Sequence, residues 1–186
     1  MMYITPRLET DRLILKRGSL EDYLKVYEFN FNKLKGINGE CEREKCDPKL
    51  IEPFVMYADE EENVLDFIVY LKDNTPIGNI VADRYGQYGN SIELSINIHP
   101  DYWNCGYAKE GILEIMKYIF DNLDIDTIIY GYAEENLKSK SVNDKIGFEP
   151  IDKRVEYYKR IKKWVTSIVT SMSKEKFKEL YESKTK

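Results

Sequence analysis

An apolar strand that stops at Ile98, a short polar loop, and a long amphipathic helix opening on a Gly-Tyr-Ala step constrain this chain more than any other feature. The stretch reads Asn97-Ile98-His99-Pro100-Asp101-Tyr102-Trp103-Asn104-Cys105-Gly106-Tyr107-Ala108-Lys109-Glu110. In the first turn of a helix the N–H groups have no intrahelical partner and the positive end of the macrodipole faces outward, so the loop is an anion site. Gly106 lets the backbone approach a phosphate closely, and Ala108 leaves room where a larger side chain would collide. A pyrophosphate suits such a site.

The elements around the loop follow from periodicity. Arg12 to Arg17 alternates, with Leu13 and Leu15 on one face and Ile14 near Lys16 on the other, which predicts a strand. Ser19 is placed to cap a helix carrying Asp22 in its first turn, and Leu20, Leu24, Tyr27 and Phe31 recur at helical spacing. From Asn32 to Asn63, Gly36, Gly39, Pro48 and Pro53 interrupt the pattern, and helical pieces and loops are expected. Three strands, Leu65 to Leu71, Ile77 to Asp83 and Ser91 to Ile98, are joined by turn-forming residues at Asp73-Asn74 and Gly86 to Asn90, as in an antiparallel meander. A helix then runs from about Gly106 to Asn122, a strand over Thr127 to Ala133, and a short helix over Leu137 to Ile146 ending at Gly147. Two strands, about Val155 to Arg160 and Lys163 to Ser171, and a charged helix from Lys174 to about residue 184 complete the chain. The order predicts an α+β fold: a mixed, mostly antiparallel sheet with one parallel strand pair, flanked by helices.

Length and composition narrow the function classes. One domain over residues 1–186, with a core of about 6–173, is the expected organisation for 186 residues lacking repeats or a dividing linker. The longest apolar runs, such as Phe67 to Leu71, fall far short of the roughly 20 residues of a membrane span, and residues 1–10 lack the apolar core of a secretory signal. No membrane association and a cytoplasmic location are the expectations. A net charge of −5 opposes binding to a nucleic acid backbone. Three cysteines, Cys41, Cys46 and Cys105, and a lone histidine, His99, supply neither a disulfide scaffold nor a zinc ligand set, so no metal is expected.

Three segments together carry a family resemblance. Trp103-Asn104-Cys105-Gly106-Tyr107-Ala108 resembles the acetyl-CoA loop of the GCN5-related N-acetyltransferase (GNAT) family, Gln/Arg-x-x-Gly-x-Gly/Ala, with Trp103 in the Gln/Arg place. Asn136-Leu137-Lys138-Ser139 leading to Asp144-Lys145-Ile146-Gly147-Phe148, and Arg7-Leu8-Glu9-Thr10-Asp11-Arg12-Leu13 at the start, are similar to the ribosomal-protein alanine acetyltransferase-like branch. One such motif alone is a weak signal; three in order over about Pro6 to Ser173 are strong.

The resemblance implies the GNAT fold and an enzyme that moves an acetyl group from acetyl-CoA to an amine by direct attack on the thioester. It implies that the strands ending at Ile98 and Ala133 splay apart, with the pantetheine arm bonding strand backbone at Ile96 and Ile98. Trp103, Asn104, Cys105, Gly106, Tyr107 and Ala108 would cradle the pyrophosphate, and Asn136, Ser139 and Lys145 would complete the cofactor site. Glu93, in Glu93-Leu94-Ser95-Ile96, matches the family's strand glutamate and is the candidate general base; a solvent-facing or salt-bridged glutamate is its other reading. Asp83 and Glu134 are weaker alternatives. The family's usual tyrosine acid, seven residues past the asparagine, is Asn143 here, so Ser139 becomes the candidate donor to the leaving sulfur.

Several of these residues have an equally plain structural reading: Ser139 as a helix cap, Asn136 as an Asx cap, Tyr107 as helix packing, Lys145 as a charge offsetting the helix dipole, and Cys105 as a small buried filler. His99 beside Pro100 reads as a loop anchor. The acceptor is expected to be a small-molecule amine or a protein N-terminus, with the acidic Glu40 to Glu44 and Asp59 to Glu62 segments suited to a cation. A homodimer is the assembly the resemblance implies. A non-catalytic CoA-binding sensor or scaffold is the alternative function.

Overall fold

The computed structural model describes residues 3–32, 49, 52–53, 55, 63–83, 88–158 and 162–182. Its centre is an eight-stranded sheet of β1 (Leu8–Glu9), β2 (Leu13–Lys16), β3 (Val64–Leu71), β4 (Pro76–Asp83), β5 (Ser91–Ile98), β6 (Thr127–Ala133), β7 (Glu149–Tyr158) and β8 (Lys163–Ser173), in the order β1-β2-β3-β4-β5-β6-β8-β7. Every neighbouring pair is antiparallel except β5 and β6. The meander β3-β4-β5 is the one expected from three strand segments joined by turn residues. At its first turn Asn74 adopts φ 66° and the Asp73 carboxylate accepts the Thr75 N–H at 2.9 Å.

Helix α1 (Leu20–Asn32) covers one face of the sheet and α2 (Tyr107–Asn122) and α3 (Leu137–Ile146) the other. The alternation in β2 decides which residue serves which layer. Leu13 and Leu15 join the main core with Phe67, Ile80, Ile92, Ile112, Ile115 and Phe120, whereas Ile14 packs with Tyr23, Val26, Ile68 and Tyr70 beneath α1. Ser19 and Asp22 cap α1 reciprocally: the Ser19 N–H donates to the Asp22 carboxylate at 3.0 Å and the Asp22 N–H to Ser19 Oγ at 3.3 Å. Gly147 ends α3 in the left-handed region at φ 97°, with its N–H on the Asn143 carbonyl at 3.0 Å.

Three boundaries differ from the sequence expectations. β7 begins at Glu149, six residues before Val155, because Pro150 and a register shift between Pro150 and Asp152 conceal the strand's first half from any alternation pattern. The short strand β1 was not expected. The charged C-terminal helix is one α-turn, α4 (Lys174–Phe177), continued by a π-helical turn over Lys178–Glu182. Gly36, Gly39 and Pro48, the acidic Glu40 to Glu44 and Asp59 to Glu62 runs with most of Asn32 to Asn63, Gly86, and the expected strand end at Arg160 lie outside the described residues. Among the described residues no helix is long and apolar enough to cross a membrane, and no group of three His, Cys, Asp or Glu side chains is placed to hold a metal.

Candidate active site

β5 and β6 pair in parallel only from Ser91–Leu94 to Thr127–Tyr130. Beyond Leu94 the strand β5 stays paired to β4, and beyond Tyr130 the strand β6 stays paired to β8, so the two part and leave a wedge at the middle of the sheet. Two parallel neighbours that separate halfway expose backbone donors and acceptors with no ladder to join, which an extended ligand can use.

The wedge opens into a cleft of about 450 Å³ between the β5–α2 loop and α3. Ile96 and Ile98 line it from β5, Trp103, Asn104, Gly106, Tyr107 and Ala108 from the loop and the start of α2, and Asn136, Ser139 and Lys145 from α3. The structure therefore brings together all of the expected cofactor residues except Cys105. That side chain is exposed, with Sγ 3.5 Å from the Trp103 carbonyl, and is not part of the cleft lining. It is also not the buried filler of its plainer reading.

The start of α2 has the features of an anion cradle. Gly106, its N-cap, adopts φ 82° and contributes no side-chain cap, so among the described residues the N–H groups of Tyr107, Ala108 and Lys109 have no side-chain acceptor. A Cβ at Gly106 would meet only Arg12 Nη2, at 3.4 Å. Among the described residues three lysines, Lys109, Lys138 and Lys145, line the cleft, and no carboxylate does. In a chain of net charge −5 that segregation is a local reversal of sign suited to phosphates. These residues fit the diphosphate of CoA.

A network that spans the chain fixes the loop from behind. Arg12 Nη1 donates to the Cys105 carbonyl at 2.9 Å and Nε to Glu110 Oε2 at 2.6 Å, and the guanidinium lies 4.6 Å from the Tyr107 ring centroid. Thr10 Oγ1 donates to Glu110 Oε1 at 2.5 Å, and these bonds hold the Glu110 carboxyl below its usual range against the opposing effect of burial. Sequence reasoning missed this role for Arg12 and Glu110, because nothing local pairs residues 98 apart. His99 Nδ1 accepts the Asp101 N–H at 3.1 Å and its ring meets Tyr102 edge-on at 5.7 Å, the geometry of a loop anchor. Trp103 Nε1 donates to the Ile98 carbonyl at 2.6 Å, tying the loop to the end of β5.

On α3 the two readings of Asn136 coexist. Its Oδ1 accepts the Ser139 N–H at 3.2 Å as an Asx cap, which leaves the Nδ2 donors for a ligand in the cleft. Ser139 does not cap the helix with its hydroxyl; Asn136 does. Asn143 is buried and directed away from the cleft, its Nδ2 donating to Thr170 Oγ1 at 2.6 Å. Lys145 lines the cleft, while its carbonyl accepts Lys109 Nζ at 2.8 Å.

Glu93 lies outside the cleft lining, on the other face of the sheet. Ile92 and Leu94 point into the main core, so the side chain between them points away from it. Gly131, the first β6 residue past the paired stretch, gives it space: a Cβ there would lie 3.6 Å from Glu93 Oε1. The carboxyl thus stands at the fork of β5 and β6. Burial raises its pKa above the ordinary 4.5, Arg154 opposes the shift, and Glu156 and Asp83 reinforce it. Of the weaker alternatives, Asp83 is the β4 register partner of Glu93, and Glu134 is exposed in an ion pair with Lys153 at 3.0 Å.

The shift has a testable sign. A carboxyl whose folded pKa is raised favours folding fully below the unfolded value and loses that contribution as pH rises through the folded one. Glu93→Gln should therefore raise the denaturation midpoint at neutral pH and leave it unchanged below pH 4.5. Denaturant titrations at the two pH values check this, and destabilisation at neutral pH would show that the Arg154 attraction dominates burial.

A forked mixed sheet with a cationic cleft at the fork defines an acyl-CoA N-acyltransferase scaffold. The model of the Acetyltransferase (GNAT) domain matches residues 12–149, and the chain belongs to that family and is an N-acetyltransferase. It is similar to the uncharacterized N-acetyltransferase YoaA of Bacillus subtilis, 26% identical over 147 residues, 77% of this chain and 83% of the relative. Among solved structures, a GNAT-family acetyltransferase of Bacillus anthracis aligns with TM-score 0.74 and 22% identity over 91% of this chain and 99% of that one. A spermidine N-acetyltransferase of Vibrio cholerae in complex with CoA and spermine aligns with TM-score 0.72 and 17% identity over 90% and 99%. The ribosomal-protein-S5-alanine acetyltransferase of Vibrio fischeri aligns with TM-score 0.75 and 15% identity over 92% and 98%. At these identities the solved structures speak for the fold.

Proposed function

We propose that the chain transfers the acetyl group of acetyl-CoA to a primary amine, a small molecule or a protein N-terminus, by direct attack on the thioester, and that it is of the ribosomal-protein alanine acetyltransferase-like branch. The observation that carries the reading is the opposite polarity of the two faces at the fork. Among the described residues the cleft face presents three lysines and no carboxylate, and the other face presents Glu93 with Asp83, Glu156 and a single cation, Arg154, in its field. The first suits a polyphosphate, the second a cationic amine.

In this scheme the amine nitrogen approaches from the Glu93 side and forms the N–C bond as the C–S bond breaks. Glu93 accepts the amine proton, directly or through water, and its raised pKa brings it nearer to neutrality, where a general base is most useful. The Ser139 hydroxyl donates a hydrogen bond to the departing thiolate, which then takes up a proton. The fork backbone and the Asn136 Nδ2 position the pantetheine arm.

Kinetics test the assignment. Glu93→Gln is expected to lower kcat by roughly 100-fold or more, with acetyl-CoA affinity unchanged, and to remove the acid limb of the kcat/KM profile. Ser139→Ala should lower kcat by a smaller factor. Wild-type rates and an unaltered pH profile in both would remove the support for these roles.

A further inference from the structure

We propose that Trp103 and Lys138 form a latch across the mouth of the cleft, and that a phosphate of the bound acyl-CoA draws the Lys138 ammonium off the indole. The inference rests on the acyl-CoA reading of the cleft. The two residues come from opposite walls, Trp103 from the β5–α2 loop and Lys138 from the first turn of α3. Lys138 Nζ lies 3.2 Å from the centroid of the Trp103 ring. The indole N–H is bound to the Ile98 carbonyl at 2.6 Å, so the ring is a fixed platform and the lysine is the movable part.

The position of Lys138 points to an anionic ligand. It follows the Asn136 cap by two residues, at the positive end of the α3 dipole, where a cation is disfavoured and no acidic residue occupies the turn. The other two cleft lysines have structural work: Lys109 joins α2 to the Lys145 carbonyl, and Lys145 offsets the dipole at the end of α3. Lys138 holds its charge over a π face, an attraction weaker than a charge-assisted hydrogen bond to phosphate. A phosphate entering beside it therefore wins the ammonium, and Trp103 is left as an apolar wall. Trp103 stands where the related loop pattern has Gln or Arg, and Lys138 supplies from α3 the cation that the loop lacks.

The chain has two tryptophans, so Trp164→Phe leaves Trp103 as its only indole. In that background CoA and dephospho-CoA are titrated by tryptophan fluorescence and by calorimetry, with thermal melts as the folding control. CoA is expected to change the Trp103 emission. Lys138→Gln is expected to show the altered emission before ligand is added, to lose the CoA-induced change, and to bind CoA about tenfold more weakly, the scale of one charge-assisted hydrogen bond. Lys138→Arg should recover most of the affinity. Retention of the change by dephospho-CoA assigns the diphosphate as the phosphate that releases the latch, and its loss assigns the 3′-phosphate. A folded Lys138→Gln variant that binds CoA within twofold of its parent and keeps the emission change overturns the latch while leaving the cleft assignment intact. No calorimetric binding of CoA to the parent overturns both.

Discussion

Gly106→Glu is expected to weaken acetyl-CoA binding by at least about a hundredfold while the chain stays folded, because it puts a carboxylate at the proposed diphosphate site. Two effects act together and a control separates them. Gly106 is in the left-handed region at φ 82°, where any other residue pays roughly 1–2 kcal/mol, but the space beside it is open except for Arg12 Nη2 at 3.4 Å. Gly106→Ala carries the backbone cost without the charge and should retain most of the affinity. Ala108→Glu, two residues further along in the first turn of α2, carries the charge without the backbone cost and should behave like Gly106→Glu. Calorimetric titration with acetyl-CoA reads all three, and unchanged affinity in the two folded glutamate variants would mean that the phosphates lie elsewhere.

The second large effect concerns the residue that replaces the family tyrosine. Asn143→Tyr should destabilise the chain by about 3 kcal/mol, roughly 6–12 °C in melting temperature for a domain of this size, with no gain in turnover. Asn143 is 1% exposed, and its side chain is built into a buried chain of bonds in which its Nδ2 donates to Thr170 Oγ1 and Thr170 Oγ1 donates to the Tyr130 carbonyl at 2.7 Å. A phenol has no room there, and the chain of bonds holds α3 and β8 to the strand that forms one arm of the fork. The cost falls on the core. A stable Asn143→Tyr variant with raised kcat would place the new hydroxyl at the sulfur and overturn the role given to Ser139.

These two residues also show what a sequence can disclose. The α2 start was legible because its signal is local: glycine, alanine and a helical periodicity beginning within six residues say where a helix opens. The meander was legible because three apolar strand segments, Leu65 to Leu71, Ile77 to Asp83 and Ser91 to Ile98, are separated by short runs of turn residues. By contrast, Arg12 grips a loop 93 residues away, and Lys138 rests on an indole from another wall of the cleft, contacts no local pattern encodes. Glu93 is proposed from its strand position, but that it stands behind the cleft, at the fork and on the other face, follows from where the β5–β6 register stops. The first half of β7 was hidden by Pro150 and its register shift. Asn143 could be recognised as a departure from the family, and only packing shows that its side chain serves the core.

If the fork is a catalytic site, acetyl-CoA releases CoA thiol in an amine-dependent way. The wild-type chain is given acetyl-CoA with a panel spanning a polyamine, an aminoglycoside and a peptide with an N-terminal alanine, and free thiol and acetylated product are quantified together. Thiol release is expected to depend on at least one of these amines, to match the acetylated amine one to one, and to fall when Glu93 is replaced by Gln. Saturating acetyl-CoA binding with no thiol release above the amine-free rate for any member of the panel would contradict it, and would make the chain a CoA-binding sensor.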